Sequence, residues 1–306
     1  MKRIAVVLGV ILALVLACSA FFYKELVFYF TPIKPVAEVA TPILWKVSKA
    51  GVPDSWLLGT MHAADRRSAL LLPRFEPYLQ QARIVFTEHK LFSAEDQVFR
   101  DFLFSGKGGV RPALGDLYPQ LLSKINKAYL PANVIESMDV PQALMALEMR
   151  QPAADVGATS LDEQIASFAL LHNKAYAGLE RMQDKITPLT EIPPAQQLEA
   201  LKLMITHSEQ FDQSYREIVE GYYARSIPAK AIDHSYPATI TPELKIALQK
   251  WDTAMLDKRN QIYLNSLAAH LSQGACFIAV GFKHLSGPQG LVNLLRAQGY
   301  SLTPLY

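Results

Sequence analysis

Two histidines in this chain share a local pattern. Trp56-Leu57-Leu58-Gly59-Thr60-Met61-His62 and Ile278-Ala279-Val280-Gly281-Phe282-Lys283-His284 each run from an apolar stretch into Gly-x-x-His. Glycine permits a sharp turn and lets another group approach the backbone closely. A histidine just past the carboxyl end of a strand lies at the edge where open sheets with strand–helix connections bind ligands. Two carboxylates end comparable apolar runs, Glu88 after Arg83–Thr87 and Glu180 after Ala175–Leu179. Two imidazoles and a carboxylate suit Zn²⁺, Mn²⁺ or Co²⁺ with positions left for water, and such an ion acidifies water and polarises a carbonyl. One Gly-x-x-His has little specificity, and a histidine at a strand end is often a turn residue. Spacing alone leaves the metal reading beside a structural one.

Arg259 follows Met255 by four residues and precedes Ile262 by three, which puts it on the apolar stripe of its helix. An arginine that faces inward needs a carboxylate or a bound anion, and Glu88, Glu180 and Asp162 are the available acids. The alternative is a side chain that snorkels along the stripe to solvent. Asp162 falls in the first turn of its helix, where a carboxylate is favourable in any case. Asp65, three residues past His62, is read as a support for that histidine or as a plain loop acid. His172 and His270 fall near helix ends, His207 within a long helix and His234 in a loop. No nucleophile elbow, His-Glu-x-x-His, phosphate-binding loop or Cys-x-x-Cys is present. Gly106-Lys107-Gly108-Gly109 reads as a flexible connection.

The elements that must position these groups are legible in outline. Strands are expected at 43–47 and 56–59, joined through a hairpin loop at 49–54, then at 83–88, 175–180, 275–281 and 301–305. The middle is largely helical. Ser160-x-x-Glu163 is a capping box, Pro193-Pro194 opens a long amphipathic stretch through Tyr222, and Thr241-Pro242 caps a helix that runs to about Ser272. Both ends of the chain carry one unit, strand, Gly-x-x-His, helix, strand, which predicts a mixed α/β fold with pseudo-twofold symmetry that brings the two histidines together.

Before all this comes Met1-Lys2-Arg3 and then an uncharged run, Ile4–Tyr23. Twenty such residues at ~1.5 Å each span ~30 Å, the hydrocarbon thickness of a bilayer. Lys2 and Arg3 keep the N-terminus cytoplasmic, with Tyr23, Phe28, Tyr29 and Phe30 as an interfacial belt. Residues 1–30 are therefore read as an anchor in the inner membrane, 31–41 as a proline-stiffened linker, and 42–306 as a globular domain on the extracytoplasmic, periplasmic side. Lipidation at Cys18 and cleavage with secretion are the competing readings. Cys18 and Cys276 are the only cysteines, so no disulfide framework holds the fold. A net charge of +2 with scattered lysines and arginines gives no nucleic-acid footprint.

Taken in order, Leu44-Trp45-Lys46-Val47, the first Gly-x-x-His segment, Val85–Glu88, Leu161-Asp162, Gly178-Leu179-Glu180, Met255–Asn260 and Val280–Leu291 resemble the TraB/GumN family, which includes the animal TIKI metalloproteases. The resemblance runs from about residue 42 to the end. It implies a pseudo-symmetric α/β core and a divalent-metal site made by His62, His284 and Glu88, with Arg259 as the family's late-helix arginine. Two departures stand out: Gly281-Phe282-Lys283-His284 where the family has Gly-Ala-Gly-His, and Lys90 where it has an acid. Two lysines would then flank the site beside Gly59 and Gly281. At ~5 Å and an effective dielectric of ~20 a lysine opposes a cation by several kcal/mol.

The function expected is hydrolysis of a peptide or small acyl bond by a bound divalent ion. Glu180 or Asp162 would orient a ligand or act as general base, and Arg259 would position Glu88 or stabilise a developing oxyanion. A metal-free His/Glu hydrolase, as in the distantly similar erythromycin esterases, and a degenerate peptide-binding protein are the alternatives. The sequence leaves substrate, metal identity and oligomeric state open.

Overall fold

The apolar run Cys276–Gly281 is buried at every residue, as a strand covered on both faces must be. It is the fifth strand (β5) of a mixed sheet. The computed structural model describes residues 41–125, 130–149, 155, 157–227 and 240–306. The proposed anchor with Cys18, nearly all of the linker, and His234 lie outside the described residues. Among the described residues no helix is long and apolar enough to cross a membrane.

The other strands are β1 (Leu44–Lys49), β2 (Val52–Thr60), β3 (Ile84–Thr87), β4 (Ala175–Gly178) and β6 (Ser301–Pro304). Their order across the sheet is β4-β3-β5-β2-β1-β6. β4, β3, β5 and β2 are mutually parallel, whereas β1 runs antiparallel to both β2 and β6. The carboxyl ends of all four parallel strands therefore open on one edge. The hairpin joining β1 and β2 is tighter than the expected loop at 49–54. Lys49 pairs with Val52 across Ala50-Gly51, and Gly51 takes the positive φ that a two-residue turn requires.

One face of the sheet is covered by α1 (Arg67–Gln81), then by α7 (Leu161–Leu171) and α10 (Ser208–Tyr223), which pack Phe75, Ile165 and Tyr222 around Leu58, Val85 and Phe277. The opposite face carries α12 (Arg259–Leu271) and α13 (Leu291–Ala297), with Tyr263, Leu267 and Leu295 against Leu57, Phe86 and Ile278. A separate helical body with its own apolar cluster is built from α2 (Ala94–Phe104), α3 (Val110–Leu114), α4 (Tyr118–Lys124), α5 (Ala132–Ser137) and α6 (Val140–Glu148). It is completed by α8 (Met182–Thr190), α9 (Pro194–Thr206) and the start of α11 (Pro242–Thr253).

Four expectations need correction. The stretch after Pro194 is two helices broken at His207, not one through it. Leu201 and Ile205 bury into the helical body while Val219 and Tyr222 bury against the sheet, so the chain must turn between the two cores. The helix from Pro242 is interrupted by a π-turn at Ala254–Lys258. The glycine-rich loop is not a loose connection: Lys107 and Gly109 donate backbone N–H groups to the Asp139 carboxylate at 3.1 and 2.7 Å. Finally, the pseudo-twofold holds only in part. β2 and β5 lie side by side, but the first unit returns as β3 beside β5 while the second returns as β6 beyond β1, because the β1–β2 hairpin occupies the position next to β2.

Candidate active site

His62, Glu88, Glu180 and His284 leave the ends of β2, β3, β4 and β5 and converge because those strands are parallel neighbours. Nε2 of His62 lies 3.5 Å, and Nε2 of His284 3.4 Å, from the same oxygen, Oε1 of Glu88. Each imidazole is held from behind. His62 Nδ1 is 2.9 Å from Asp162 Oδ2, and Thr60 donates its hydroxyl to the other oxygen of Asp162 at 2.7 Å. His284 Nδ1 is 2.8 Å from Asn260 Oδ1. Glu88 Oε1 also accepts the backbone N–H of Gly281 at 2.8 Å.

Behind Glu88 sits Arg259, buried and with each of its three nitrogens bonded to a protein oxygen. Its Nη2 donates to Glu88 Oε2 at 2.7 Å and also to Glu180. Its Nε donates to Glu180 at 2.9 and 3.0 Å, and its Nη1 to the Met255 carbonyl at 3.0 Å. Tyr263 completes the set by donating its hydroxyl to Glu180 at 3.0 Å. Arg259 thus faces inward and pairs with Glu88 and Glu180, while Asp162 belongs to His62. Glu180 is sealed off, its side chain 0% exposed, so it has no access to water as a general base.

The electrostatics follow from this packing. Burial alone would raise the Glu88 carboxyl, but Arg259 and His62 hold it well below the usual carboxylate range. Burial wins at Glu180, which is raised despite sharing Arg259. At His62 burial acts downward, yet Asp162 and Glu88 overcome it and push the imidazole up to about 10. At His284 burial prevails over the pull of Glu88 and lowers it to about 3. His62 is the one of this group that meets solvent, its side chain 53% exposed against 4% for His284 and 5% for Glu88.

Both Gly-x-x-His glycines have steric reasons. A Cβ on Gly281 would fall 2.8 Å from His62 Nε2 and 3.1 Å from Glu88 Oε1. One on Gly59 would fall 2.6 Å from Leu285 Cδ1 and 2.9 Å from Phe282 Cα, where the turn after β5 rests on β2.

Lys90 is exposed, and the lysine whose charge is felt at His284 and His89 is Lys185 of α8. Lys283 is half-buried and its charge meets Asp252 and Glu148. Asp65 is buried in an ion pair with Arg67 at 2.6 Å and supports the start of α1. His172 stacks on Phe168, and His270 meets Phe86 edge-on. Thr60, Asn260 and Tyr263 were not singled out from the sequence. Only the adjacency of Asn260 to Arg259 pointed toward it, since hydroxyl and amide residues are common throughout the chain.

The donor types at this site fit a divalent ion. A tetrahedral centre with bonds of about 2.0–2.1 Å has donors roughly 3.3–3.4 Å apart, close to the two Nε2–Oε1 separations, and metal-binding histidines typically have the second nitrogen held by an oxygen. Among the described residues no group of three or more His, Cys, Asp or Glu side chains is placed to hold a metal ion.

No curated protein and no solved structure matches the chain. The model of the TraB/PrgY/gumN family matches residues 43–304, a span that holds every strand of the sheet and every residue of the His–Glu–Arg cluster, and the chain belongs to that family.

Proposed function

We propose that this protein is a hydrolase of peptide or small acyl bonds, with a divalent cation (Mn²⁺, Co²⁺ or Zn²⁺) held by His62, His284 and Glu88. The observation that carries this reading is the aim of two imidazole Nε2 atoms at one carboxylate oxygen, each with its Nδ1 already engaged by a side-chain oxygen. A divalent ion there supplies Lewis-acid polarisation of the acyl carbonyl and acidification of water. The chain's own groups do the rest. Arg259 and Glu180 lock the Glu88 carboxylate in place, Asp162 with Thr60 orients His62, and Asn260 orients His284. Arg259 has its nitrogens committed to Glu88, Glu180 and Met255, so it acts by positioning Glu88 and not as an oxyanion donor.

A metal-free His/Glu mechanism has weaker support. Glu88, whose carboxyl Arg259 and His62 hold well below the usual carboxylate range, is a poor base. The domain is proposed to lie on the extracytoplasmic side, on the strength of Lys2, Arg3 and the uncharged run that follows.

The test is metal content of the full-length chain, purified without a histidine tag, beside His62→Ala and His284→Ala. Near-stoichiometric metal lost in both variants, with acyl or peptide hydrolysis abolished by chelator and restored by Mn²⁺, Co²⁺ or Zn²⁺, is the expected result. No metal after loading with each ion would remove the cation from the reading. A phosphatase reporter fused after Tyr306, active only outside the cytoplasm, tests the orientation.

A further inference from the structure

The π-turn at Ala254–Lys258 joins α11 to α12. Through α11 the inward stripe is Leu244, Leu248 and Trp251, and in the π-turn the buried residue is Ala254. After the π-turn the buried residues are Arg259, Asn260, Tyr263, Leu267 and Leu271. Arg259 and Asn260 are the first two residues of α12 and project about 100° apart, toward different partners. Both of these successive polar side chains are buried in the site. Arg259 takes Glu88 and Glu180. Asn260, 2% exposed, takes His284.

The orientation of the Asn260 amide is fixed by its second partner. Nδ2 donates to the Gln289 carbonyl at 2.7 Å, and only the NH₂ end of the amide can donate to a carbonyl. Oδ1 is therefore the atom that faces His284 Nδ1 at 2.8 Å. An amide oxygen can only accept, so the His284 proton is on Nδ1. Gln289 is placed by the turn after β5, where Gly290 donates to Gly287 O at 3.0 Å and a Cβ on Gly290 would fall 2.2 Å from Ser286 O. The Gly-x-x-Gly segment that follows His284 thus supplies the carbonyl that turns Asn260.

We infer that Asn260 is a positioning residue which fixes the tautomer of His284 and presents its Nε2 to Glu88 as a bare lone pair. The consequence is that two acceptors, His284 Nε2 and Glu88 Oε1, face each other at 3.4 Å with no proton of His284 between them, an arrangement a cation relieves. This deepens the proposed cation site and rests on it for its role in function, although the tautomer itself does not.

The experiment is histidine-selective ¹⁵N NMR of the cation-free full-length chain, with His284 assigned by its loss in His284→Gln, followed by Co²⁺ titration read by visible absorption. The wild-type spectrum is expected to show His284 protonated at Nδ1 and bare at Nε2. Asn260→Asp keeps an acceptor oxygen and should keep that tautomer. Asn260→Leu should shift the proton toward Nε2 and weaken Co²⁺ binding about 10–100-fold, with Asn260→Asp recovering most of the loss. A wild-type His284 protonated at Nε2 overturns the inference without any variant, as does an Asn260→Leu protein with unchanged tautomer and unchanged affinity. A wild type with the Nδ1–H tautomer that binds no Co²⁺ would sink the cation reading while upholding the assignment to Asn260.

Discussion

Nη2 of Arg259 lies 2.7 Å from Oε2 of Glu88, and both side chains are only 5% exposed. The same guanidinium also holds Glu180, so one buried cation serves two buried carboxylates. Removing it leaves both without their counter-ion. Arg259→Leu is expected to destabilise the domain by about 3–5 kcal/mol, read as a drop in the urea midpoint. Arg259→Lys should fall well short of wild type, since a single ammonium cannot reproduce the fork that spans Glu88 and Glu180. A silent Arg259→Leu would mean the side chain snorkels in solution.

Glu88→Gln retains the shape of the side chain and a carbonyl oxygen for Arg259 or the Gly281 N–H, but removes the negative charge. Turnover and metal content should both fall to background with circular dichroism near wild type, while the thermal midpoint drops because the amide NH₂ must face one of the two donors, Arg259 or the Gly281 N–H. Unchanged turnover would remove Glu88 from the reaction.

Gly281→Ala tests whether the close approach at the end of β5 matters. Gly281 has φ of −51°, which alanine adopts freely, so the backbone has no objection. The obstacle is the methyl, 2.8 Å from His62 Nε2 and 3.1 Å from Glu88 Oε1. Overpacking of this kind costs about 1–3 kcal/mol. Cation affinity should drop by at least about tenfold, with the far-ultraviolet spectrum intact. An active, metal-loaded Gly281→Ala protein would show that the site can shift to accommodate the methyl.

Acid stability should report on His284. Its pKa is lowered from 6.5 to about 3 by burial, so the unfolded chain takes up a proton that the folded chain refuses. The stability this contributes is full above pH 6.5 and is lost as pH falls from 6.5 toward 3. In cation-free protein, His284→Gln should therefore unfold with a shallower pH dependence across that window. Parallel curves for the two proteins would show that His284 titrates normally.

The sequence by itself determined the local parts. Apolar runs of four to seven residues marked the strands, Ser160-x-x-Glu163 marked the cap of α7, and Gly-x-x-His put His62 and His284 at strand ends, because these are properties of neighbouring residues. The ordered segments from Leu44 to Leu291 also carried the family. Tertiary structure decided the rest. Glu88, Glu180 and Arg259 are far apart in sequence and meet only because β3, β4 and β5 lie side by side and α12 crosses their ends. No residue pattern announced the π-turn at Ala254–Lys258, and only the packing of α12 on the turn after β5 shows Asn260 buried against His284. Lys90 was read as flanking the site because it stands where the family has an acid, and the structure adds Lys185 of α8, whose charge is felt at His284. The break at His207 was hidden for the same reason: both halves of the stretch are amphipathic, and only the presence of two separate cores shows that their apolar faces bury in different places.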